Sequence, residues 1–143
     1  SLEALSLSLG VKNQVAFHGR LGPEQVASLL RDSDLYVSLT PTEGLSSSLL
    51  EACACGAFPI VRDIPASRCV VDDASTGLLL KDGSKEELSK ALKEAIAKPE
   101  LRRAAATANV AKVSSLYDRD RNTSHFISQY RELSAKLKKS KTS

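Results

Sequence analysis

Tryptophan and methionine are missing from this chain, and phenylalanine and tyrosine number three each. A core must therefore be assembled from Leu, Val, Ile and Ala rather than around large rings. With aromatics at 4% and a formal charge of only +3, no basic stripe carries stacking platforms, and a nucleic-acid role is not expected. The three cysteines, Cys53, Cys55 and Cys69, are odd in number, and Cys-Ala-Cys on one helix points its thiols to different faces. That spacing serves neither a disulfide framework nor a zinc site, and the thiols are read as small buried hydrophobes in a reducing compartment. No stretch reads as a signal peptide or reaches transmembrane length, so a cytoplasmic location is expected. The first residue is not methionine and the chain enters a helical pattern at once, as a piece of something longer would.

The 143 residues, 42% hydrophobic and 26% charged, suit one globular domain over 1–143. Residues 134–143 form a basic tail, expected to fray. It leans toward peripheral contact with an anionic membrane at the cytoplasmic face.

Along the chain, strand and helix patterns alternate. Leu2, Leu5 and Leu9 share one helical face before Gly10. "QVAFHG" (Gln14 to Gly19) reads as a strand, "GPEQVASLLRDSD" as a helix with Pro23 at its first position, and "DLYVSL" (Asp34 to Leu39) as a strand halted by Pro41. A helix ending at Gly56 follows, then a strand "AFPIV", a loop around "RDIPASR" and a fourth strand "TGLLL" (Thr76 to Leu80). Ser84 and Glu87 have capping-box spacing, Pro99 starts another helix, and a last one runs from about Asp118. Short connections and apolar strands predict an α/β fold, a Rossmann-like parallel sheet flanked by helices. Ligands in such folds sit outside the carboxyl ends of the strands, where "FHGR" and "LTPTEGLSSS" fall.

The second of these segments carries the most chemistry. A helix starting near Gly44 leaves its first N–H groups unpaired, with its dipole aimed into the cleft. Gly44 admits a ligand close to the backbone, and Ser46, Ser47 and Ser48 add hydroxyl donors without bulk. The set suits a phosphate or diphosphate and needs no metal. Glu43 precedes the helix and Glu51 lies eight positions on, roughly 12 Å along a helix axis. A carboxylate beside an anion needs its own partner, and sugar or ribose hydroxyls are suitable donors. A nucleotide-sugar has hydroxyls at both ends and phosphates between them.

The stretch "PTEGLSSSLLEACACGAFPIV", with "VKNQVAFHGRLGPEQVASLLRDSDLYVSLT" before it and "TGLLL" and "QYREL" after it, resembles the group 1 retaining glycosyltransferases with two Rossmann-like domains. Their Glu-x7-Glu segment lies in the C-terminal, nucleotide-sugar-binding half of the GT-B architecture. The likeness covers roughly Leu2 to Leu133. It implies that Glu43 contacts hydroxyls of the transferred sugar as the catalytic residue, that the backbone of Gly44, Leu45, Ser46 and Ser47 holds the diphosphate, and that Glu51 binds the ribose. It also implies that Gly19 and Arg20 border the nucleobase, which is of UDP or GDP type. Neither His18 nor His125 is given a catalytic task. The implied reaction is hexosyl transfer with retention to an acceptor hydroxyl, in polysaccharide or glycoconjugate synthesis, with no cofactor and no metal.

Two departures accompany the resemblance. The family's first two strands, which lie mid-sheet, and the Arg and Lys that follow the first of them precede "SLEALSLSLG" and are missing, which leaves "QVAFHG" without its usual partners; the N-terminal acceptor-binding domain is missing too, so this chain alone is expected to be inactive. The loop "DIPASRCVV" has Pro65, Ala66 and Cys69 where a Gly-Gly turn and a Glu are common, with Ser67 and Arg68 as residues that face the ligand or solvent. The alternative to a donor-binding domain is a non-catalytic binding or scaffold module of the same fold. A sugar-nucleotide epimerase would need acid–base residues that the sequence does not offer.

Overall fold

The computed structural model describes residues 1–140, with side chains as far as Leu137. Helix α1 (Leu2–Ser8) is followed by a 3-10 turn (Lys12–Gln14), α2 (Pro23–Arg31), β1 (Leu35–Ser38), α3 (Ser47–Ala54) and β2 (Phe58–Arg62). Then come a one-turn helix α4 (Pro65–Arg68), β3 (Leu78–Leu80), α5 (Lys85–Ala97), α6 (Pro99–Leu116) and α7 (Arg119–Ser140). The helix starts follow the sequence signals. Pro23, Pro65 and Pro99 each sit in the first turn, where the missing N–H costs nothing. Ser84 caps α5 by accepting from the Glu87 N–H at 3.1 Å. The Glu87 carboxylate reaches past the cap to the N–H groups of Lys81, Asp82 and Gly83, so it ties the end of β3 to α5.

The sheet has the order β1-β2-β3, all parallel, with Leu35 opposite Phe58 and Ile60 opposite Leu78. Successive strand side chains point to opposite faces, and both faces of β2 are covered. Phe58 and Ile60 pack with Leu78, Leu80, Ala91, Ala95 and Ala105 on one face. Val61 packs with Leu49, Cys53, Val70 and Val71 on the other. Gly77 is required by close approach: a Cβ there would lie 2.7 Å from the Pro59 carbonyl oxygen and from Val71 Cγ1. Beside it, the buried Asn109 amide donates to the Thr76 carbonyl at 2.8 Å and pins α6 to the entry of β3.

Four sequence expectations are corrected. "QVAFHG" forms no strand: it leaves a 3-10 turn and runs unpaired, with Val15 and Phe17 exposed. An extended segment becomes a strand only when neighbouring backbone takes its N–H and C=O groups. Among the described strands β1 pairs with β2 alone. Leu2, Leu5 and Leu9 of the expected inward face of α1 are likewise exposed, and Ser6 is the buried residue of that helix. The "RDIPASR" loop contains the turn of helix α4. Of the cysteines only Cys53 is fully buried, where burial pushes its thiol up to about 11; Cys55 is half-buried and Cys69 exposed. The basic tail beyond residue 140 lies outside the described residues. Among the described residues no helix is long and apolar enough to cross a membrane.

Candidate functional site

The carboxyl end of β1 leads through residues 39–45 into α3. The helix begins at Ser47, not near Gly44, because Ser46 is its N-cap: its hydroxyl accepts from the Leu49 N–H at 3.4 Å. Ser46 Oγ lies 3.0 Å from Ser48 Oγ, which lies 2.7 Å from the Tyr36 hydroxyl. Two of the three serine hydroxyls expected to serve a ligand are thus engaged within the protein. The backbone donors fare differently. None of the N–H groups of Gly44, Leu45, Ser46, Ser47 and Ser48 donates to an acceptor among the described residues. The open amides therefore belong to the loop as well as to the first turn of α3.

Glu43, Gly44 and Ser46 line one side of a crevice. Tyr36 and Ser38 line it from β1, Thr40 from the loop after β1, Arg62 from the end of β2, and Ile64, Ala66 and Ser67 from the segment that follows. Its free volume is about 10 Å³, room for about one water. Glu51 lies elsewhere. It is exposed on the wall of a cavity of about 490 Å³ between α2 and α3, with Leu21, Pro23, Val26, Ala27, Leu30, Ala54 and Cys55. The structure therefore brings Glu43, Gly44 and Ser46 together, and places Glu51 beside Leu21, the residue that follows Gly19 and Arg20. It does not put the two glutamates in one cavity, because α3 stands between them. Gly19, Arg20, Leu45 and Ser47 are all exposed, and neither His18 nor His125 lines the crevice or the cavity.

The cations near the crevice have partners. The Arg62 guanidinium donates to the Asp82 carbonyl. Arg68 grips both carboxylate oxygens of Asp63 at 2.6 and 2.9 Å, and that hydrogen-bonded pairing holds the Asp63 carboxyl below its ordinary range. Of the two residues singled out in the loop after β2, Ser67 faces the crevice and Arg68 turns to Asp63. Tyr36, Ser38 and Arg62 were not anticipated from the sequence, whereas Thr40 lies in the segment placed at a strand end. The signal available for Ser38 and Arg62 was position: they are the last residues of β1 and β2, where open α/β sheets present ligand groups. Among the described residues no group of three or more His, Cys, Asp or Glu side chains gathers to hold a metal.

Residues 1–111 match the family model of the glycosyl transferases group 1. The chain belongs to this family. It is 34% identical over 94 residues to an uncharacterised glycosyltransferase of Methanocaldococcus jannaschii, a match that covers 65% of this chain and 24% of that protein. Among solved structures it superposes on HepE of Anabaena in complex with UDP-glucose, with a TM-score of 0.82 at 20% identity, covering 92% of this chain and 36% of the other. It also superposes on the C-terminal domain of a group 1 family glycosyl transferase (LpcC) of Francisella tularensis, with a TM-score of 0.73 at 24% identity, covering 82% of this chain and 61% of the other. The fold is that of the C-terminal domain of GT-B glycosyltransferases, and this group 1 glycosyltransferase chain spans about a quarter of the length of the curated relatives it matches.

Proposed function

We propose that this domain binds a nucleoside-diphosphate sugar, of UDP or GDP type, as the donor side of a retaining hexosyltransferase. In this reading Glu43 contacts hydroxyls of the transferred sugar, and the N–H groups of Gly44, Leu45, Ser46 and Ser47 hold the diphosphate. Glu51 accepts from the ribose hydroxyls, with Gly19 and Arg20 at the edge of the base. The observation that supports it best is the division of labour across α3. Gly44 and Ser46, whose amides are open, line a crevice with Glu43 on one side, and Glu51 stands on the wall of a larger, mainly apolar cavity on the other. Donor amides preorganised toward a leaving diphosphate stabilise charge where it develops, and an acceptor hydroxyl held on the same sugar face completes transfer with retention. Helix dipole and amides neutralise the phosphates without metal or other cofactor. An N-terminal acceptor-binding domain supplies the acceptor, and the reaction takes place in the cytoplasm or at the cytoplasmic face of a membrane, which the basic tail contacts.

Isothermal titration of the chain with UDP and with GDP tests the reading. One of them should bind, and Glu51→Ala should weaken it at least about tenfold, the loss expected for a charged hydrogen-bond acceptor. Binding that Glu51→Ala leaves unchanged sinks the ribose assignment. A second reading, a non-catalytic binding module of the same fold, is favoured by the water-sized crevice and by the pairing of Arg62 and Arg68 with protein oxygens. Nucleotide binding without hydrolysis or transfer of any UDP- or GDP-hexose, with an acceptor domain supplied, would decide for it.

A further inference from the structure

A hydrogen bond from the sheet reaches the turn that carries the open amides. The Tyr36 hydroxyl in β1 lies 2.7 Å from Ser48 Oγ in the first turn of α3. Ser48 Oγ in turn lies 3.0 Å from Ser46 Oγ, the N-cap that accepts from the Leu49 N–H. Among the described residues no other hydrogen bond joins residues 41–48 to β1, β2 or β3. Packing does little in its place, since residues 41–45 are all exposed. Tyr36 itself is anchored: it is half-buried and packs against the cluster of Leu49, Cys53, Val61, Val70 and Val71. A fixed ring thus carries a hydroxyl to a turn with no other hydrogen-bonded tether to the sheet. Neither hydroxyl needs the other for its own sake, because the pair is exposed and water would serve both. What the bond adds is position.

We propose that Tyr36 is a positioning residue of the nucleotide site: acting through Ser48, it holds the turn from Gly44 to Ser47 in the arrangement that receives the donor. The inference rests on the nucleotide-sugar reading and adds to it a residue outside the segment from Glu43 to Glu51. Tyr36 acts before binding, by reducing the number of conformations the turn samples. A protein whose competent conformation is only partly populated binds more weakly in proportion. Support runs in one direction along the three hydroxyls. Ser46 shapes the turn through its cap, Ser48 fixes Ser46, and Tyr36 fixes Ser48 to the sheet. The tie has a defined reach, because the cavity where Glu51 stands is lined from α2 and α3 and contains neither Tyr36 nor Ser48. Ligand groups held there should be indifferent to it.

A double-mutant cycle tests the proposal. Titration calorimetry of the chain with UDP and with GDP identifies the nucleotide that binds, and is repeated on Tyr36→Phe, Ser48→Ala and the double variant. Each single variant should lose about three- to tenfold in affinity for the nucleoside diphosphate, the usual effect of one hydrogen bond. The double variant should lose no more than the weaker-binding single one, and affinity for the matching nucleoside should not change. In nitrogen-15 relaxation of the unliganded chain, the Gly44 and Leu45 amides should have lower order parameters in Tyr36→Phe than in wild type. Unchanged order parameters or unchanged diphosphate affinity overturn the proposal. So does an equal loss for the nucleoside, which marks a general effect on the fold. If Tyr36→Phe costs as much in the Ser48→Ala background as in wild type, Tyr36 touches the ligand directly and the positioning role is refuted. If the wild-type chain binds neither UDP nor GDP, the donor-binding reading fails and this inference falls with it. If it binds and Tyr36→Phe binds equally, only the Tyr36 inference fails.

Discussion

Two parts of this chain contain the same kinds of residue and end in opposite states. "AFPIV" around β2 and "QVAFHG" near the start are both short, apolar and β-prone. Phe58 and Ile60 are fully buried between the sheet and helices α5 and α6, whereas Phe17 is 46% exposed and belongs to no strand. The difference lies in their neighbours. β2 has β1 on one side and β3 on the other, and helices α3, α5 and α6 cover its faces. Among the described residues the Gln14 to Gly19 segment has no ladder partner. Sheet formation is thus a property of sets of strands, and local propensity is only a bid to join one.

The comparison yields a graded series of tests in chemical denaturation. Phe58→Ala should cost about 3–5 kcal/mol, as expected for removing a large ring from a fully packed site. A cost under about 1 kcal/mol would mean that the two-layer core around β2 is not formed in solution. Gly77→Ala should cost about 1–3 kcal/mol, because its methyl group meets the Pro59 carbonyl and Val71 at 2.7 Å; a neutral result would show that β3 sits further from β2 than described. The Asp63–Arg68 pair should have a smaller effect with a definite pH signature. The Asp63 carboxyl is held below its ordinary value of 3.8 in the folded chain. Its contribution is therefore present above about pH 4 and is lost as the pH falls through the lower, folded value. Thermal midpoints of wild type and Arg68→Ala should differ slightly at pH 6 and converge toward pH 2; a gap that widens in acid reverses the sign and refutes the pairing. Phe17→Ala should change stability by no more than about 0.5 kcal/mol, and a loss comparable with Phe58→Ala would mean that the segment has found partners.

Much of the architecture was legible in the sequence. The alternation of strand and helix patterns located β1, β2, β3, α2, α5, α6 and α7, since prolines, caps and apolar periods are local signals. The Glu43-Gly44 turn was placed at a strand end, and the structure puts it there. What escaped were consequences of context. The start of α3 moved to Ser47 because Ser46 takes the capping role, a choice among three consecutive serines that spacing does not make. The loop at Pro65 closed into a turn of helix. At the site, a periodic pattern does not tell that Glu43 lines the crevice while Glu51 stands on the wall of the separate cavity beside α2. Tyr36 was invisible for a similar reason: it reaches the crevice through sheet register, and register joins residues far apart in sequence.

The eight-residue α3 (Ser47–Ala54) separates the crevice from the cavity and therefore acts as a gauge. Each residue added to or removed from its first turn would shift Glu51 by about 1.5 Å and swing it by about 100° around the axis, away from Leu21 and Ala27. The helix's exposed side chains, such as Ser47 and Ala54, can change with modest effect, while its residue count is fixed by geometry. Deletions and insertions between Gly44 and Glu51 should thus be tolerated far worse than substitutions at the exposed positions of the same stretch.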